Sequence, residues 1–148
     1  AEDGIRDLVR SRGLGDVYKR QLETYALGGV RFHLHRYRAG YDRYSGRILD
    51  GLRFTVTNPD RFKPIRTAVT VLHILQNRYG RRRLWQHPGA RTDFFDKLFG
   101  TDSVRKALVA GAAPEAISQS WHHDLHIFRQ QRAKCLLYRS CRRMSAHP

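Results

Sequence analysis

The sequence predicts an α+β fold, with a small antiparallel or mixed sheet packed against three or four helices. Three observations predict it. Two short stretches alternate apolar and polar residues, at Val30, Phe32 and Leu34 and again at Leu52, Phe54 and Val56. Downstream, apolar residues recur at helical spacing in segments punctuated by Pro and Gly. No apolar run approaches the length of a membrane-spanning helix.

Residues 1–21 are expected to be foreign to the fold. Asp16-Val17-Tyr18-Lys19-Arg20-Gln21 back-translates as GAT GTG TAT AAG AGA CAG, which looks like the transposon end of a sequencing-library adapter. Such scars are set aside from fold reasoning, although Ile5, Leu8 and Val9 have helical spacing. The domain is expected to run from Leu22 to Tyr138, beginning in mid-sequence, with 139–148 as a frayed tail.

Each element has a local cause. The first strand carries Val30, Phe32 and Leu34 against Arg31, His33 and His35, and the second carries Leu52, Phe54 and Val56 against Arg53, Thr55 and Thr57. Between them Arg36 to Gly51 reads as a long connection rich in Tyr, Arg and Gly, and Asn58-Pro59-Asp60 ends the second strand. Pro64 opens a helix to about Tyr79 with Gly80 as its stop, its apolar face being Ile65, Ala68, Val69, Leu72, Leu75 and Tyr79. Arg81 to Arg91 reads as a polar connection in which Leu84 and Trp85 plug a local pocket or form a short strand.

Two further helices follow. One spans about Ser103 to Ala110, capped by Thr101 or Asp102 and stopped by Gly111. The other opens at Pro114 and carries Ile117, Trp121, Leu125 and Phe128 as one stripe.

Composition bounds the function. With 148 residues and 41% apolar content there is room for one domain with a modest core. The formal charge of +15 raises the alternative of a small basic nucleic-acid-binding module. Only five of the 28 basic residues are lysine, however, and the arginines are scattered, as GC-rich coding alone produces. A solvated basic surface is the better reading, so no specific nucleic-acid partner is expected. Cys135 and Cys141 are too few for a disulfide scaffold, and Cys135 is expected to be buried.

The order of pieces after Thr92 carries a resemblance. A turn with aspartate and leucine closes on Gly100-Thr101, and a short helix ends in Ala110-Gly111. Trp121 and Phe128-Arg129-Gln130-Gln131-Arg132 follow on one helix, and the run closes on Leu136-Leu137-Tyr138. Together with Phe62-Lys63-Pro64 and Gly51, this resembles the C-terminal region of the bacterial exo-β-N-acetylmuramidase family, long catalogued as a domain of unknown function. The loop departs from that pattern: Arg43 stands at a usual lysine, Leu49 at a cysteine and Ala39 at a proline.

The resemblance implies a parent glycoside hydrolase that removes terminal N-acetylmuramic acid from peptidoglycan fragments. Its catalytic residues would lie in a larger N-terminal α/β domain, which would also be the main packing partner. No catalytic residue is assigned in this chain. The acids after Gln21 form no motif suited to general acid work, and no nucleophile triad, phosphate loop or cofactor motif appears. His122 and His126 lie four apart on a helix but lack the glutamate of a metalloprotease pair, so no metal and no cofactor is expected.

Substrate contacts are expected from Arg36, Tyr37, Tyr41, Arg43 and Tyr44. Arginine pairs bidentately with a carboxylate such as the lactyl group of muramic acid, and tyrosine stacks on sugar faces. Compartment and oligomeric state stay open.

Overall fold

The two alternating stretches do pair. The computed structural model describes residues 14–40 and 44–137. Their elements are α1 (Leu14–Thr24), β1 (Val30–Arg38), β2 (Ile48–Val56), α2 (Pro64–Tyr79), α3 (Arg81–Trp85), α4 (Thr92–Phe99), α5 (Ser103–Ala110), α6 (Pro114–Ser120) and α7 (His122–Cys135). The architecture is α+β, as predicted, with one two-stranded antiparallel ribbon. The described residues form more helices than the three or four expected. Both connections after α2 coil into short helices, and the helix opened by Pro114 breaks in two.

Register runs from Val30 opposite Val56 to Arg38 opposite Ile48. Val30, Phe32 and Leu34 therefore share a face with Val56, Phe54 and Leu52. Only its first half is covered: Val30 and Phe32 are buried with Leu22 and Ile74, while Leu34 stays 51% exposed. The ribbon overhangs its core.

The connection between the strands is shorter than the sequence suggests. Pairing continues through Arg38 and resumes at Ile48, so Arg36 and Tyr37 lie in β1 and only residues 39–47 separate the strands. At the overhanging end both faces meet solvent, so the apolar–polar alternation fades although the ladder persists. Gly46, at φ +78°, closes the turn, its N–H donating to the Ala39 carbonyl at 2.8 Å. Beyond β2, Asn58 Oδ1 accepts from the Asp60 and Arg61 amides, the side-chain turn that ends the strand.

Helix α2 has the predicted bounds but a different buried stripe: Thr67, Val69, Thr70, Ile74 and Gln76. Ile65 is exposed instead. The two threonines can be buried because their hydroxyls donate to carbonyls one turn back, Thr67 to Lys63 at 3.0 Å and Thr70 to Arg66 at 2.8 Å. The helix thereby joins two cores, Leu22–Val30–Phe32–Ile74 on one side and Val69–Val104–Leu108–Ile117 on the other. Trp85, expected as a plug, packs into the second core against Phe95, ring centroids 5.1 Å apart.

Helix α5 matches its expected span and left-handed Gly111 stop. Asp102 stands at the N-cap but makes no side-chain cap bond and pairs with Lys106 instead, while Thr101 Oγ1 accepts the Ser103 amide at 3.1 Å. The Pro114 stripe is only half right. Ile117 is buried and Trp121 is half-buried, but the chain breaks between α6 and α7, and Phe128 is 57% exposed. The Ser118 and Ser120 hydroxyls take the carbonyls of Pro114 and Ile117, a competition that loosens a helix end. Cys135 is exposed on α7, not buried. The expected boundary between residues 21 and 22 falls inside α1, where Tyr18 packs against the same core as Leu22. The expected tail, 139–148, and Tyr138 lie outside the described residues.

Candidate functional site

The ribbon carries the expected site residues, and its ladder decides where they point. Even-numbered β1 residues from Val30 to Arg38 face the core side, and odd-numbered ones from Arg31 to Tyr37 face away. Arg36 and Tyr37 thus leave the strand in opposite directions. Arg36 Nε donates to Asp50 Oδ1 at 2.7 Å and its NH2 to Oδ2 at 3.3 Å, a fork-on-fork pair between cross-strand partners. That guanidinium is occupied. Arg38 NH1 donates to the Gly46 carbonyl at 2.9 Å and braces the loop.

On the outward face Tyr37 and His35 hold their rings nearly parallel, 9° apart with centroids 6.0 Å apart. A Cβ at Gly51 would meet Tyr37 Cε1 at 3.4 Å, so the ring lies across the glycine. Arg53 NH2 donates to His35 Nε2 at 2.8 Å; guanidinium only donates, so Nε2 supplies the lone pair. Tyr44 is half-buried at the loop. Tyr41 and Arg43 lie outside the described residues. Sequence reasoning missed Arg53 and His35, whose signal was present: both belong to the polar side of the strand alternation.

Away from the ribbon, basic partners hold carboxylates in ion pairs: Glu23 with Lys19, Asp96 with Arg105, Asp102 with Lys106 and Glu115 with Arg66. Hydrogen bonds from Arg105 keep the Asp96 carboxyl below its ordinary range. An open cavity of about 370 Å³ lies between α1 and β1, lined by Lys19, Glu23, Arg31 and His33 among others. It does not touch the expected site residues. Among the described residues no group of three His, Cys, Asp or Glu side chains gathers as for a metal, and the Gln130 amide donates to His126 Nε2 at 2.9 Å. Nor is any described helix long and apolar enough to cross a membrane.

Comparison with known proteins supplies the family. The profile described as exo-beta-N-acetylmuramidase NamZ, C-terminal, matches residues 12–138. The peptidoglycan beta-N-acetylmuramidase NamZ of Bacillus subtilis (strain 168) is 26% identical over 117 residues, covering 79% of this chain and 27% of that protein. A crystal structure of a DUF1343 family protein from Bacteroides fragilis superposes with a TM-score of 0.74 at 20% identity. It covers 84% of this chain and 33% of its own, and shows the same fold. The chain spans about a quarter of the length of the first relative and a third of the second. With the profile matched across most of its length, the chain belongs to the NamZ C-terminal family of exo-β-N-acetylmuramidases.

Proposed function

We propose that this chain is the cleft-shaping C-terminal part of a peptidoglycan glycoside hydrolase that removes terminal N-acetylmuramic acid, a step of cell-wall recycling. The family match over residues 12–138 carries the reading. The chemistry itself is assigned to the part of the relatives that this chain does not span. Glycosidic cleavage needs one protonated and one ionised carboxyl flanking the bond. Here the paired carboxylates face lysine or arginine, and Asp96 is shifted in the direction opposite to a general acid.

A second domain is the packing partner in this reading. Helix α7 has no buried residue, and a 14-residue helix gains little stability by itself in water. Leu34, Ile48, Phe54 and Val56 stand exposed as apolar side chains on the ribbon's core-side face. Both surfaces suit burial against another domain. The loop around Arg43 then faces the cleft, with Arg43 on the lactyl carboxylate, Tyr41 and Tyr44 on the sugar, and Arg36 bracing the hairpin through Asp50.

Residues 12–138 grafted in place of the matching region of the Bacillus subtilis relative provide the test. The fusion should release N-acetylmuramic acid from muramyl substrates. In it, Arg43→Ala should raise KM roughly ten- to a hundredfold with kcat little changed, as for a charge-assisted bond made equally in ground and transition states. A folded but inactive fusion would sink the reading.

A further inference from the structure

The geometry points to the outward face of the β1–β2 ribbon as a binding platform for a carboxylate-bearing amino sugar, with Tyr37 under the ring and Arg53 on the carboxylate. The inference rests on the muramyl reading above and deepens it by adding a second acid-sugar subsite, on the ribbon, to the one around Arg43.

Charge comes first. The outward face presents Arg31, His33, His35 and Tyr37 from β1 and Leu49, Gly51, Arg53 and Thr55 from β2, with no carboxylate among them. Elsewhere Arg36, Arg66 and Arg105 are each neutralised by an acid. Arg53 differs: an imidazole orients it without cancelling its charge. Among the described residues it has no carboxylate partner.

Position comes second. Arg53 starts opposite His33 but reaches along the ribbon to His35, towards Tyr37. Tyr37 is 45% exposed, and Gly51 beneath it has no side chain to lift the ring from the strand. A pyranose over Tyr37 gains the apolar contact that aromatic rings offer sugar C–H faces. The 6.0 Å between the Tyr37 and His35 rings suits the reach from a sugar ring to the carboxylate of a short acid substituent. Arg53 then meets that carboxylate with the donors His35 leaves unused.

A nucleic acid also offers ring faces and anions, but it demands a run of cations along a backbone. The outward face carries two arginines, Arg31 and Arg53, with histidines and Thr55 beside them, and not a continuous cationic track. A single sugar acid fits the patch better.

The test is binding by the intact 148-residue chain, followed by NMR or calorimetry, with N-acetylmuramic acid and N-acetylglucosamine as probes. The acid sugar should bind more tightly. Arg53→Gln should erase about a fivefold preference, the upper end for an exposed charge pair. Tyr37→Ala should weaken both sugars alike, and Arg132→Gln on α7 should change neither. Equal melting temperatures of the variants would separate binding from folding. An Arg53→Gln chain with the preference intact, absence of binding to either sugar, or tighter binding of a ten-nucleotide single strand at physiological salt would overturn the proposal. The grafted enzyme separates the two readings. Normal activity there with Arg53→Gln and Tyr37→Ala removes the platform alone; a dead fusion beside Arg53-dependent binding removes the enzymatic reading alone.

Discussion

The indole N–H of Trp85 donates to the side-chain oxygen of Gln76 at 2.7 Å, which ties α3 to the buried stripe of α2. The Gln76 amide also donates to the Leu108 carbonyl near the end of α5. One buried amide therefore joins three helices, and it stays buried because both of its ends are used. Gln76→Leu keeps the volume but strands an indole N–H and a carbonyl. In urea unfolding it should cost about 1–3 kcal/mol, and adding Trp85→Phe should restore part of that. An unchanged midpoint for Gln76→Leu would show that the link contributes nothing.

The second core and the uncovered face of α7 should respond differently to truncation. Leu108, fully buried beside Ile117, should cost about 2–5 kcal/mol as Leu108→Ala. Phe128→Ala, on the uncovered face of α7, should stay within about 0.5 kcal/mol. Trp121→Ala should fall between them, since that ring is only half-buried against the second core. A Phe128→Ala loss as large as that of Leu108→Ala would mean that α7 is packed in solution.

What the sequence made legible was local chemistry. Pro64, Gly80, Gly111 and Pro114 mark real helix ends, because a missing N–H or a left-handed residue acts through the backbone and needs no tertiary context. The buried stripe of α2 was harder to read, since Thr67, Thr70 and Gln76 enter the core only through hydrogen bonds that composition does not show. The far end of the hairpin was misread for the opposite reason: Arg36 and Asp50 pair across the strands while looking like loop residues. At the site, alternation places Tyr37 and Arg53 on one face, but the bond from Arg53 to His35 required coordinates.

Acid should weaken the contact between α4 and α5. Arg105 grips both Asp96 oxygens, by Nε at 2.8 Å and by NH2 at 2.7 Å, and holds the carboxyl below its usual value of 3.8. A depressed carboxyl pKa means that the unfolded chain takes up the proton first. The pair therefore contributes fully above the ordinary carboxylate range, and its contribution fades as pH falls from about 4 through the lowered native value. Asp96→Asn should lower the melting temperature at neutral pH and flatten its decline on the acid side. A mutant that tracks the wild type from pH 7 to pH 2 would show the pair to be idle.

The central claim is the division of labour, and the chain alone tests it most directly. Incubated with a muramyl disaccharide, the isolated 148-residue protein should release no N-acetylmuramic acid above the buffer control, because no pair of carboxyls with opposed roles is assembled in the described residues. Sustained release that scales with protein concentration and is lost on heat denaturation would contradict the claim and place the catalytic groups within this chain.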